Sequence, residues 1–143
     1  MITIYTDGSC SGNPGPGGVG CVIMVDDETT IISEFIGHTT NNIAELKSIQ
    51  VALESIQNKD EEIVIYTDSQ YAVGLFTKNW KAKANTELVL EIKDKLKEFS
   101  NLKIEKVKGH STNYGNVIVD QLATQATKTK TSSKVISKKN EIL

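Results

Sequence analysis

The chain of 143 residues has only two cysteines, Cys10 and Cys21. Two thiols cannot staple a disulfide scaffold. They also fall short of a structural zinc site, which needs four close nitrogen or sulfur ligands. Two reduced thiols in a cytoplasmic protein are the expectation. Long apolar runs are missing as well. The longest, Val19–Val25, covers about seven residues and contains a glycine, against ~20 needed to span a bilayer. The first residues form neither a basic start nor a cleavable apolar stretch. A soluble protein with no membrane partner follows as the expectation. No internal repeat or interdomain linker is present, which leaves one domain. Arginine is absent: all 16 basic residues are lysine.

What is present is ordinary globular composition, 38% hydrophobic and 24% charged, which excludes a wholly disordered chain. The net charge of −2 excludes a simple electrostatic sponge for nucleic acid. Its distribution is uneven, with +4 over residues 128–143 and −6 over the rest. The lysine-rich end is expected to be a mobile tail, and Lys128–Lys139 is a candidate for nonspecific phosphate contacts.

Ile2–Thr6, Val19–Val25 and Thr30–Gly37 carry strand patterns, joined by the Gly/Pro/Ser/Asn-rich segment Ser9–Gly18. Thr39-Thr40-Asn41-Asn42 supplies N-cap chemistry for a helix to about Gln57. Leu46, Ile49, Leu53 and Ile56 lay one apolar stripe along it. Ile63-Val64-Ile65-Tyr66 predicts a central strand buried on both faces. Helices are expected over Ser69–Thr77, Glu87–Phe99 and Asn116–Thr127, with a strand at Leu102–Val107. The order βββαβααβα implies a mixed sheet with helices on both faces.

Gly15-Pro16-Gly17-Gly18-Val19-Gly20 matches G-x-G-x-x-G in letters only, because a strand follows where a dinucleotide site needs a helix N-terminus. The carboxylates say more. Asp7 in Tyr5-Thr6-Asp7-Gly8-Ser9 and Asp68 in Tyr66-Thr67-Asp68-Ser69-Gln70 each close a strand, at the edge where open α/β sheets bind ligands. If those strands are neighbours, two like charges lie side by side and call for protons or cations. Oxygen ligands alone suit Mg²⁺ or Mn²⁺. Glu45 is expected in the first turn of its helix, where a lone acid is more often a charge favoured by the helix dipole. Asp120 is flanked by Val117, Ile118, Val119 and Leu122. Burying it unpaired would cost several kcal/mol, so a cation or partner is expected. His110 sits in a polar loop, where a histidine is more often a surface residue but can move a proton near a hydrolytic centre. Trp80 is expected to pack against a helix rather than stack on a base.

Together these blocks resemble the type 1 ribonuclease H family over about residues 1–127. The blocks are Thr6–Gly18, Thr40–Leu46, Tyr66–Tyr71, and Val107–His110 leading to Asn116 and Asp120–Ala123. The resemblance implies the ribonuclease H-like fold, a five-stranded mixed sheet flanked by helices. It implies an endonuclease that cuts the RNA strand of an RNA–DNA hybrid, with Asp7, Glu45, Asp68 and Asp120 as metal-binding carboxylates. Four such acids can hold two divalent ions roughly 3.5–4 Å apart, Mg²⁺ first and Mn²⁺ as a substitute, leaving 5′-phosphate and 3′-hydroxyl ends. His110 matches the loop histidine that assists proton transfer or product release. Asn13, Asn41, Asn42 and Gln70 match groove contacts, and Cys10 and Thr40 match positions near the DNA backbone. Asn116 belongs to the same substrate-binding set. Gly8, Ser9 and Cys10 offer backbone that, with Glu45, reads the 2′-hydroxyl marking RNA.

The chain departs from the family in a short segment between Gln70 and Asn85, where many members carry a longer basic protrusion. It also starts directly on the first strand, so the expectation is a free-standing monomer without an added hybrid-binding module. A transposase- or integrase-like cousin acting on DNA, a silent nucleic-acid-binding module and a reverse transcriptase fragment remain the rival readings.

Overall fold

The structure, a computed structural model, describes residues 1–107 and 114–138. Its elements run β1 (Ile2–Cys10), β2 (Gly15–Val25), β3 (Glu28–Thr39), α1 (Asn41–Glu54), β4 (Ile63–Thr67), α2 (Gln70–Thr77), α3 (Thr86–Leu96), β5 (Leu102–Lys106), α4 (Tyr114–Thr129) and β6 (Ser133–Lys138). The strands form one sheet in the order β5-β4-β1-β2-β3-β6. β1, β2 and β3 make the expected antiparallel meander, and β4 and β5 add to β1 in parallel.

The sheet has six strands where five were expected. The sixth strand comes from the segment after residue 127, which the sequence reading leaves without a strand. α4 continues to Thr129, and β6 then pairs antiparallel with β3, setting Ile31 opposite Val135 and Glu28 opposite Lys138. The physical reason is the edge that β3 would otherwise present, a row of unpaired N–H and C=O groups that invites another strand. The turn into β6 is fastened where Phe35 N–H donates to Ser132 Oγ at 2.9 Å.

Local chemistry explains the helix starts. Thr40 Oγ1 accepts from Ile43 N–H to cap α1, and Ser69 Oγ accepts from Ala72 N–H to cap α2. Asn85 precedes α3 in the left-handed conformation, φ 58°, and its amide donates to Tyr71 Oη instead of capping the helix. β4 is buried on both faces as its apolar run predicts, with Ile63, Val64 and Ile65 all covered.

Helix α1 lies against β1 and β2 on one face, with α2 and α3 beside it, and α4 covers β1, β2 and β3 on the other. The main core fills the α1 side, built on Ile4, Leu46, Ile49, Leu53, Ile65 and Ile92. On the α4 side the helix comes very close, because a Cβ at Gly18 would stand 2.7 Å from Ala123 O and from Ala126 Cβ. Trp80 folds its indole over Gly74 of α2 and remains 42% exposed, which is the packing role expected of it. No helix among the described residues is long and apolar enough to cross a membrane.

Candidate active site

Asp7 does not close its strand as expected, because pairing with β2 carries β1 on to Cys10. It meets Asp68, the first residue past β4, because β1 and β4 are parallel neighbours. The register that places Tyr5 opposite Tyr66 carries Asp7 and Asp68 to one level two residues further on. Below them the two tyrosine rings stack, centroids 5.1 Å apart, and floor the site. The third acid arrives from α1. Gly8 has no side chain, and a Cβ there would lie 2.5 Å from Glu45 N and collide with Ala44, so only glycine lets α1 approach β1 this closely. Glu45 thus reaches the carboxyl end of β1.

Asp7, Glu45 and Asp68 each bring one carboxylate oxygen within 4.8 Å of the others. Asp7 is 5% exposed and Glu45 and Asp68 are partly buried. Burial and mutual repulsion dominate their protonation. Desolvation first, then the charges of Asp68 and Asp120, push Asp7 from its ordinary 3.8 up to about 7, against the opposing pull of its hydrogen bonds with Glu45 and Gly8 N–H. Desolvation and the Asp7 charge raise Glu45 well above its usual range. Desolvation and the Asp120 charge raise Asp68, partly offset by the Lys106 ammonium. Such a cluster takes up protons or cations. The Glu45 Oε2 oxygen is buried without a hydrogen-bond partner among the described residues. An unpartnered carboxylate oxygen in an oxygen-only donor set fits a small, hard divalent cation.

Two sequence arguments are corrected here, although both residues stay near the cluster. Glu45 lies beyond the first turn of α1, which contains no acid, and its environment is Asp7 rather than the helix N-terminus. Asp120 is exposed, not buried in an apolar stretch, because Val119 and Ala123 take the inward face of α4. It stands outside the three-oxygen group, yet near enough for its charge to raise both Asp7 and Asp68. His110 lies outside the described residues.

Of the expected substrate contacts, Asn41, Asn42, Asn13 and Gln70 are exposed, and Gly8, Ser9, Cys10 and Thr40 are partly so. Asn116 is 7% exposed, inside α4. Several carry structural duties as well. Asn13 Oδ1 accepts from Asn41 N–H at 3.1 Å, tying the glycine-rich loop to the start of α1. The Cys10 thiol points at the carbonyls of Gly12, Gly15 and Thr39. Lys106, missed in the sequence, is the cation beside Asp68. Only the pairing of β5 with β4, which sets Thr67 opposite Lys106, reveals it. A larger hollow of about 630 Å³ lies between α1 and α3, lined by Lys47, Asn85 and Glu91 among others, and includes none of the acids.

A mixed sheet that gathers carboxylates at its strand ends defines a carboxylate-cluster hydrolase, and comparison with known proteins narrows the class. The family model for RNase H matches residues 1–128. Ribonuclease H of Desulforamulus reducens is 40% identical over 140 residues, spanning 89% of this chain and 87% of that protein. Ribonuclease H of Chlorobium luteolum is 40% identical over 139 residues, spanning 87% and 94%. Among solved structures, LC11-RNase H1 in complex with an RNA/DNA hybrid superposes with a TM-score of 0.78 at 30% identity, covering 91% of this chain and 99% of that one. RNase H1 from the archaeon Halobacterium salinarum gives 0.76 at 28% identity, covering 90% and 98%. The chain belongs to the ribonuclease H family, whose members are hydrolytic nucleases.

Proposed function

We propose that residues 1–127 form the catalytic domain of an endonuclease that hydrolyses the RNA strand of RNA–DNA hybrids with two bound divalent ions. One observation carries the reading: carboxylate oxygens from β1, α1 and β4 converge within 4.8 Å, with a buried Glu45 oxygen left unpartnered. The similarity to a protein solved on an RNA/DNA hybrid supports the substrate.

Asp7, Glu45 and Asp68 hold the ions, with Asp120 completing the set from α4. Mg²⁺ is the natural occupant and Mn²⁺ a substitute. When bound, the ions supply an activated water and neutralise the leaving 3′ oxygen. The protein's own groups do the rest. Gly8 N–H, 2.9 Å from Asp7 Oδ1, fixes the rotamer of that carboxylate. The stacked tyrosines keep β1 and β4 in register. Glu45 and the backbone of Gly8, Ser9 and Cys10 stand where a 2′-hydroxyl is read. Asn13, Asn41, Asn42 and Gln70 present amides to the groove, Thr40 and Cys10 lie toward the DNA strand, and Asn116 belongs to the same substrate-binding set. His110 assists proton transfer or product release. The products carry 5′-phosphate and 3′-hydroxyl ends. The enzyme acts as a monomer. Its two free thiols accord with a cytoplasmic setting.

The test is a gel with labelled RNA–DNA hybrid in Mg²⁺, in Mn²⁺ and in chelator, beside double-stranded RNA and DNA. Metal-dependent cutting of the hybrid alone is expected. Cutting of duplex DNA with the hybrid spared would favour the transposase-like cousin, and no cutting under any metal would overturn the enzyme.

A further inference from the structure

Beyond Asp120, the outward face of α4 is polar along its whole length. Asp120, Thr124 and Lys128 recur every four residues, with Gln121 and Gln125 beside them, and together they line a shallow cleft of about 350 Å³. None of this face is needed for packing, because the inward face is supplied by Val119, Ala123, Ala126 and Thr127. The cleft begins at an acid whose charge is felt by both Asp7 and Asp68. It ends at Lys128, which is exposed and forms no ion pair among the described residues. Eight residues of helix span about 12 Å, roughly three nucleotide steps at about 3.4 Å of rise each.

We propose that this face of α4 is a track for the RNA strand beside the scissile bond. Gln121, Thr124 and Gln125 donate to its sugar–phosphate backbone, and Lys128 acts as a positioning residue on a phosphate about three steps from the cut. The electrostatics require something of this kind. The site concentrates four acids in a body of net negative charge, so the approaching phosphodiester strand is repelled except where a cation meets it. Lys106 supplies one such cation beside Asp68, and Lys128 supplies another at the far end of the cleft. Phosphate contacts of this type fix register without reading sequence. The inference rests on the hybrid-cleaving reading above and names a part of the substrate path.

The experiment compares Lys128→Ala with the unmodified chain and with Lys97→Ala, an exposed lysine at the end of α3. Three readouts are taken: kcat and KM on a hybrid, the salt dependence of KM, and hybrid affinity on an Asp68→Asn background that leaves the substrate uncut. Lys128→Ala is expected to raise KM and Kd about five-fold at unchanged kcat and to lower the salt slope by about one. Lys97→Ala should change none of these. In a second arm, RNA phosphates one to four steps on either side of the cut are replaced singly by neutral methylphosphonates. At one of them the substitution should weaken binding of the unmodified chain and add nothing to Lys128→Ala. Unchanged KM and salt slope in Lys128→Ala overturn the track, and so does a Lys128 effect that adds to every RNA methylphosphonate. Failure of the unmodified chain to cut hybrid would instead overturn the functional reading itself.

Discussion

The centre of the sheet and its β6 edge treat charge in opposite ways. At the β1–β4 centre three carboxylates are pressed together and partly buried, and each is driven toward its protonated form. At the β6 edge, Lys134 and Lys138 stand exposed in a strand whose Val135 and Ile136 are 52% and 54% exposed. The first region is costly to fold and gains its worth only when cations arrive. The second covers an edge and keeps Lys134 at the surface, where an exposed charge contributes little. A destabilising cluster in the middle of a well-packed sheet is therefore the mark of chemistry, and a solvated lysine strand is the mark of edge protection.

The sharpest way to break this contrast is to neutralise the centre. Asp7→Asn or Asp68→Asn should lower cleavage by about a thousandfold or more, equivalent to at least ~4 kcal/mol of transition-state stabilisation. Either variant, assayed on labelled hybrid with Mg²⁺, should stay folded and gain stability without metal, since repulsion is relieved. Near-normal turnover would remove that acid from the catalytic set.

Gly8→Ala tests whether the cluster depends on close backbone approach. The added methyl collides with Ala44 and Glu45 of α1, and overpacking of this kind costs about 1–3 kcal/mol. Urea unfolding should show that loss, together with weaker metal binding, because Glu45 is pushed away from Asp7.

Acidity separates the regions by sign. Asp7 has a folded pKa of about 7 against an ordinary 3.8, so the folded state binds the extra proton. Its contribution to stability is complete below about pH 4 and is lost as pH rises through about 7. Glu45 and Asp68 shift in the same direction. Glu98, paired with Lys59 at the surface, is lowered instead, so its small contribution is lost as pH falls. Melting curves in chelator should fall between pH 5 and pH 8, and Mg²⁺ should restore more stability at pH 8 than at pH 5. Equal restoration at both would contradict a proton-for-metal exchange.

The mildest effect belongs to the far edge. Deleting residues 132–143 removes β6 and the Ser132–Phe35 hydrogen bond, exposing part of Ile31 and Ile32. A loss of about 1–2 kcal/mol is expected, with kcat kept. A large loss of activity would make β6 part of the substrate surface, as the lysine count of that segment first suggests.

Much of this was legible from residue order. Strand patterns announced the bodies of β1 to β3, the unbroken apolar run announced β4, and Thr40 and Ser69 announced two helix starts. The end of β1 and the start of β2 fall in Ser9–Gly18, which reads as a loop because its glycines carry no strand signal until the two strands pair. Asp7 and Asp68 could be named because a carboxylate closing a predicted strand before a polar turn is a local pattern, whereas Glu45 and Asp120, both on helices, joined them only through the family resemblance. β6 was missed because a Ser/Thr/Lys-rich stretch has no strand signal of its own until β3 offers it a partner. Asp120 was misjudged because apolar neighbours along a helix turn away from it, and Lys106 was overlooked because its relation to Asp68 runs across the sheet.

Sequence alone determined the class of fold and named the candidate acids, an oxygen-only donor set of the kind that suits a hard cation, since each depends on residue type and short-range spacing. The tertiary structure decided how deeply each acid is buried, which of them share oxygens within reach of one ion, which lysines flank them and how the sheet ends. Those properties depend on contacts between segments far apart in the chain, and the strength of a charge–charge interaction is set by distance and by exclusion of water, neither of which is written in the order of residues.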